Sequence, residues 1–137
     1  MSDLSQLVKA YDVRGVVPDQ LNETVARALG TAFVEMLRES GDDAEQIVIA
    51  HDMRETGPAL AAAFAAGANA AGTAIVHTGL GSTDQLYYAS GVLGVPGAMF
   101  TASHNPAQYN GIKLCRAGAR PVGQDSGLAI VLSLIHI

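Results

Sequence analysis

Three short apolar segments at near-regular spacing constrain this chain more than any other feature. "QIVIAHD" (46–52), "TAIVHTGL" (73–80) and "PGAMFTAS" (96–103) are each β-branched or small and largely uncharged, the pattern of strands buried on both faces. The stretches between them read as helices. "GPALAAAFAAGANAAG" (57–72) has Pro58 suited to a first turn and alanines that allow close packing on a sheet. "STDQLYYASGVLG" (82–94) opens with the capping-box pattern Ser82 to Gln85. Ahead of the first strand, "NETVARALGTAFVEMLRESG" (22–41) sets Val25, Leu29, Ala32, Phe33, Met36 and Leu37 on one face, with Asn22 able to cap its start and Gly41 its end. The order βαβαβ predicts an α/β domain of three layers, with a largely parallel segment in a mixed sheet and helices on its faces. In such folds the loops after strand C-termini hold the sites, which singles out "HDMRETG", "TGLGSTD" and "TASHNPAQYNG".

Bulk properties narrow the function classes. A chain of 137 residues, 49% of them hydrophobic, is one domain's length with material for a core. A net charge of −5 with only eight Lys plus Arg, scattered along the chain, argues against nucleic-acid and acidic-membrane partners. Apolar runs fall short of a bilayer span of roughly 20 residues. The opening "MSDLSQLVKAYD" lacks the pattern of a secretory signal, and the single Cys115 excludes an internal disulfide, so a cytoplasmic location is expected. Cys115, beside Leu114, reads as strand core, and His51 and His77 lack metal-ligand spacing.

"FTASHNPAQYNGIK" (100–113) concentrates a serine, a histidine and a lysine in a loop. The G-x-S-x-G elbow of esterases is absent, since Thr101 and Asn105 stand where its glycines would be, and adjacent Ser103 and His104 point their side chains apart. A serine hydrolase is therefore the weaker enzymatic reading, and a purely structural polar turn is the plain one. "NGIK" is expected to turn the chain into a strand "IKLC", which would bring Lys113 back toward Ser103. A phosphoryl group on Ser103 would need donors and cations of this kind nearby.

The loop "TASHNPAQYNGIK" closely resembles the phosphoserine loop of the α-D-phosphohexomutases, in particular the phosphomannomutase/phosphoglucomutase branch. "KAYDVRG" (9–15), "AHDMRETGPAL" (50–60) and "GLGSTDQLYYA" (79–89) follow in the family's order, so the resemblance covers roughly residues 8 to 128. It implies the N-terminal domain I of that fold. It also implies an intramolecular phosphotransferase that interconverts hexose 6-phosphate and hexose 1-phosphate, of mannose or glucose, through a phosphoserine and a bisphosphorylated sugar. By the same resemblance Ser103 is the phosphorylated serine, His104 and Lys113 stand beside it, Arg14 reaches the same centre and Tyr11 faces substrate. Arg54 matches a family loop and is left outside the catalytic set. Magnesium, bound through the phosphate of Ser103, and glucose 1,6-bisphosphate or mannose 1,6-bisphosphate as activator are the implied cofactors.

The family's aspartate metal loop, D-G-D-x-D-R, and its sugar-binding and phosphate-binding domains have no counterpart in this sequence. The expectation is a truncated piece, nearly inactive alone, whose missing domains would complete the site; a non-catalytic binding fragment is the remaining alternative. "GLAIVLSLIHI" (127–137) carries no acid, lysine or arginine, so family sequence is expected to run through residues 1–129, with 130–137 an anomalous apolar tail arising from a frame error or premature end.

Overall fold

The computed structural model describes residues 7–9, 12–123 and 126–135. Among the described residues six strands form one mixed sheet: β1 (Val13–Val16), β2 (Gln46–His51), β3 (Ala74–Leu80), β4 (Gly97–Phe100), β5 (Tyr109–Arg116) and β6 (Arg120–Pro121). Four helices accompany them: α1 (Glu23–Glu39), α2 (Gly57–Ala70), α3 (Thr83–Leu93) and α4 (Leu128–Ser133). The sheet order is β1-β5-β4-β2-β3, with β6 also on β5. The parallel part is narrower than the sequence pattern suggests. Only β2 with β3 and β2 with β4 run parallel, whereas β5 pairs antiparallel with β1, β4 and β6.

Strand alternation divides the interior into two cores. Ile47, Ile49, Ala98, Phe100, Ile112 and Leu114 face α1 and α2, while Val48, Ala50, Met99 and Cys115 face Leu86 of α3. The three layers are thus α1, α2 and α4 on one face, the sheet, and α3 on the other. Val25, Leu29, Ala32, Phe33, Met36 and Leu37 all lie in the first core, the face that their spacing predicts. Asn22 accepts the Val25 N–H to cap α1, and Gly41 follows its end at φ 78°. Ser82 and Gln85 complete the capping box of α3.

The helices α1 and α2 pack backbone against backbone. A Cβ at Gly30 would lie 2.1 Å from the Phe64 carbonyl oxygen, and one at Gly67 would lie 1.9 Å from that of Arg27. Thr31 Oγ1 donates to the Gly67 carbonyl at 2.9 Å across the same crossing. The contact lets Phe64 reach Phe33 at 6.2 Å and Phe100 at 5.6 Å, the latter edge-on at 81°. Without side chains at the two glycines, the aromatic row bridges α1, α2 and β4.

Near the end of the described chain, α4 buries Leu128 and Val131 against the first core and leaves Ile130 45% exposed. Among the described residues no helix is long and apolar enough to cross a membrane.

Two segments depart from the sequence-based expectation. Asn110–Gly111 form no turn: they lie inside β5, because Asn110 Nδ2 donates to Thr56 Oγ1 at 2.8 Å and its own Oδ1 accepts the Gly111 N–H at 2.8 Å. The strand predicted over 96–103 is regular only over Gly97–Phe100, since the chain bends at Ser103, whose φ is 52°.

Candidate active site at the end of the central strands

The loops after β2 and β4 meet at one end of the sheet. Asp52 begins the first, and its N–H donates to the Phe100 carbonyl at 3.1 Å. Asp52 Oδ1 accepts the Arg54 N–H at 3.1 Å, and its Oδ2 accepts the Thr101 hydroxyl at 2.6 Å. Thr101 Oγ1 in turn accepts the Ser103 N–H at 3.1 Å. Asn105 donates to the Ala102 carbonyl through its N–H at 3.0 Å and through Nδ2 at 2.7 Å, so the "SHN" turn is closed locally.

Ser103 sits at the tip with its side chain exposed and its backbone in the left-handed region. A non-glycine residue in that region costs on the order of 1 kcal/mol or more and persists only where its surroundings impose it. Those surroundings come largely from Arg54. Its Nη1 donates to the carbonyls of Pro106 at 2.8 Å and Tyr109 at 2.9 Å, and its Nη2 to those of Ser103 at 2.9 Å and Asn105 at 2.7 Å. Asp52, Met53, Arg54 and Glu55 line one wall of an open crevice, and Ser103, Asn105 and Ala107 line the other.

A second cluster lies on β1 and β5. Arg14 is opposite Gly111 in the ladder, and both Arg14 and Lys113 reach the buried Asp12. Arg14 Nε is 3.2 Å from Asp12 Oδ2, and Lys113 Nζ is 3.8 Å from the same oxygen. Gly111 makes room for this arrangement. A Cβ there would lie 2.7 Å from Arg14 Cγ and 2.9 Å from the Thr101 carbonyl oxygen. The aliphatic part of Arg14 therefore crosses β5 beside Thr101, two residues before Ser103.

The sequence-derived site residues fall into these two groups. Ser103 belongs to the loop held by Arg54, and Arg14 and Lys113 share Asp12. Among the described residues no hydrogen bond or ion pair joins the Ser103 side chain to Arg14, Lys113 or the exposed His104, so the dyad of a serine hydrolase is not assembled. Tyr11 lies outside the described residues. From the sequence, Arg14 can pair with Asp12 or Asp19, and the structure shows the Asp12 pair; Lys113 as a second partner of Asp12, the Asp52–Thr101 bond and the four carbonyls around Arg54 are not foreseen. Among the described residues there is no group of three His, Cys, Asp or Glu side chains placed to hold a metal ion.

Cys115, two residues beyond Lys113 on β5, is fully buried. Desolvation pushes its thiol above the ordinary range, against opposing hydrogen bonds from Ser90 and Gly97. Desolvation likewise raises the Tyr87 hydroxyl, with the charges of Cys115 and Asp12 adding to it. Because the folded thiol keeps its proton longer than the unfolded one, this contribution to stability is complete below about pH 8.5 and is lost as pH rises from there through the raised folded value. Alkylation by iodoacetamide at neutral pH should be slow and should follow unfolding, whereas rapid labelling of the folded chain would contradict the burial of Cys115.

Residues 5–134 match the family model described as phosphoglucomutase/phosphomannomutase, alpha/beta/alpha domain I. A phosphohexose mutase of Xanthomonas campestris pv. campestris (strain B100) is 46% identical over 121 residues, covering 88% of this chain and 26% of the relative. A phosphomannomutase of Klebsiella pneumoniae is 43% identical over 121 residues, covering 88% of this chain and 74% of the relative. Among solved structures, a phosphoglucomutase/phosphomannomutase family protein from Burkholderia thailandensis superposes with a TM-score of 0.85 at 34% identity, over 98% of this chain and 30% of that one. Except for the Klebsiella protein, the chain spans about a quarter to a third of the length of these relatives.

Proposed function

Since the chain belongs to the phosphoglucomutase/phosphomannomutase family, we propose that it supplies the phosphoserine part of a mutase that exchanges the 6- and 1-phosphates of a hexose, mannose or glucose. The observation that carries this reading is the presentation of Ser103, an exposed hydroxyl on a left-handed residue at the tip of a loop fixed by Arg54.

The chemistry follows from that placement. A sugar hydroxyl attacks the phosphorus of phosphoserine; the new P–O bond forms, the bond to Ser103 Oγ breaks, and the proton lost by the sugar hydroxyl is balanced by one taken up at Ser103 Oγ. The product is a hexose 1,6-bisphosphate, whose other phosphoryl group then returns to Ser103 Oγ by the reverse of the same step. Such transfers spread charge over the equatorial oxygens, so catalysis is mostly positioning and cationic stabilisation. Arg14 offers a planar fork and Lys113 a point charge, and Asp12 holds the two together on the strands beside Thr101. Lys113 would also help this proton transfer, with His104 standing next to Ser103. Magnesium, when bound, would neutralise phosphoryl oxygens, and a phosphate on Ser103 is the one ligand that we assign to it from the described residues. Tyr11 and the domains that complete the site in a full-length mutase would bind the sugar.

The experiment is direct. The chain is incubated with glucose 1,6-bisphosphate and magnesium, alone and with the remaining domains of a family member supplied in trans, and the phosphorylated peptide is mapped by mass spectrometry. A phosphoryl group on Ser103 supports the reading; modification elsewhere or nowhere, with the added domains folded and present, overturns it.

A further inference from the structure

We propose that Arg54 is a positioning residue for Ser103, a cation that fixes the backbone on both sides of the serine and commits both of its Nη groups to backbone carbonyls instead of to the phosphoryl group. This rests on Ser103 being the phosphoryl carrier. An arginine beside a phosphorylated serine would ordinarily be read as a phosphate ligand. Here its four Nη N–H donors are already engaged. Nη1 donates to Pro106 and Tyr109, Nη2 to Ser103 and Asn105, and Nε faces Asp52 Oδ2 at 3.9 Å. Of the five N–H groups of a guanidinium, the four on Nη1 and Nη2 are taken up by carbonyls, and Nε is turned toward the Asp52 carboxylate at ion-pair distance.

The four acceptors come from one short stretch, residues 103–109, so the loop is wrapped around a single planar cation. Those carbonyls converge, and without the guanidinium their dipoles would oppose one another and force the loop open. Ser103 is held from two directions. Arg54 grips its carbonyl, and its N–H reaches Thr101 Oγ1, whose hydroxyl donates to Asp52. Asp52 also accepts the Arg54 N–H, so both grips originate in one three-residue turn after β2. Clamping the peptide groups before and after Ser103 defines its φ and ψ and explains how a non-glycine residue stays at φ 52°. A lysine, with three donors on one atom, cannot span four carbonyls spread over seven residues.

The test uses the chain with Arg54→Ala, Arg54→Lys and, as a second route to the same grip, Thr101→Val. Amide hydrogen exchange is read at Ser103, Asn105 and Tyr109 against Ile49 and Ile112 in the sheet. Phosphoryl uptake by Ser103 from glucose 1,6-bisphosphate is read in parallel, with the remaining family domains in trans. Arg54→Ala and Arg54→Lys should speed exchange at the three loop amides by about tenfold or more while the sheet amides keep their rates. Thr101→Val should do so at Ser103. Uptake should fall in step, and millimolar guanidinium should restore both loop protection and uptake in Arg54→Ala, as a purely general loss of stability would not permit.

Unchanged loop exchange in Arg54→Ala overturns the proposal, as does Arg54→Lys behaving like the unaltered chain. Normal loop exchange with weakened use of the bisphosphate also overturns it, and would make Arg54 a phosphate ligand instead. If loop protection depends on Arg54 but the unaltered chain never takes up phosphate at Ser103, the positioning of the loop stands and the mutase reading falls.

Discussion

Replacing Ser103 with alanine should leave the folded chain unable to accept a phosphoryl group from glucose 1,6-bisphosphate. Its melting temperature should barely move. The two halves of this result come from one feature: the Ser103 side chain is exposed, and the bonds that hold its residue in place run through its N–H and carbonyl, not its hydroxyl. Alanine keeps both grips. It lacks only the oxygen on which the P–O bond would form. A companion change, Lys113→Met, removes a cation without touching the acceptor and should lower the rate of uptake by about 10³, the scale of a cationic group lost from a phosphoryl-transfer centre. Both are measured by mapping and quantifying the phosphorylated peptide after incubation with the bisphosphate, magnesium and the remaining family domains. Phosphate uptake by Ser103→Ala at a normal rate would locate the acceptor elsewhere.

The largest effect on stability is expected at the crossing of α1 and α2. Gly67→Ala would put a methyl group 1.9 Å from the Arg27 carbonyl oxygen, where an ordinary contact needs well over 3 Å. The clash is with backbone, so no side chain can swing aside; the helices must separate. Separation draws Phe64 away from Phe33 and Phe100 and opens the aromatic row of the core. We expect a loss of at least about 3 kcal/mol, beyond the usual range for overpacking, and a fall of about 10 °C or more in Tm. Gly30→Ala, facing the Phe64 carbonyl at 2.1 Å, should behave alike. Gly91→Ala is the control. It lies in α3 with open space where its Cβ would stand, and should be neutral or stabilising by about 0.5–1 kcal/mol. Thermal unfolding followed by circular dichroism separates the cases, and a Gly67→Ala chain as stable as the Gly91→Ala control would refute the close crossing.

How far the sequence reveals this molecule depends on the range of the interactions. Helix α1 is legible because its six apolar positions repeat with the helical period and its caps are local residues. The capping box of α3 is legible for the same reason. Strand β1, "VRGV", is not, since four residues containing an arginine and a glycine carry no strand pattern; β5 imposes the conformation from far along the chain. The antiparallel half of the sheet is hidden for a related reason. "NG" is the common signature of a hairpin turn, and here a side-chain bond from Asn110 to Thr56 keeps it extended.

The site divides in the same way. Ser103, His104 and Lys113 stand out because polar, chemically able residues are clustered within one short segment. Asp12 as the common partner of Arg14 and Lys113 follows from strand pairing, which places Arg14 opposite Gly111. The grip of Arg54 on the serine loop is not legible, because the carbonyls that it binds are 49 to 55 residues away and belong to the peptide backbone, which no residue identity advertises.

The strand β5 has three partners, and the earliest of them, β1, leaves the ribosome about a hundred residues before β5 does. During synthesis, then, α1, α2, β2 and β3 can assemble from neighbouring stretches, while the residues of β1 wait for the strand that gives them their extended conformation. The loop bearing Ser103 is translated just ahead of β5, so it acquires its shape in the same late event that closes the sheet. A nascent domain would be compact well before it could accept phosphate, and competence would arrive in one step with its last long-range ladder.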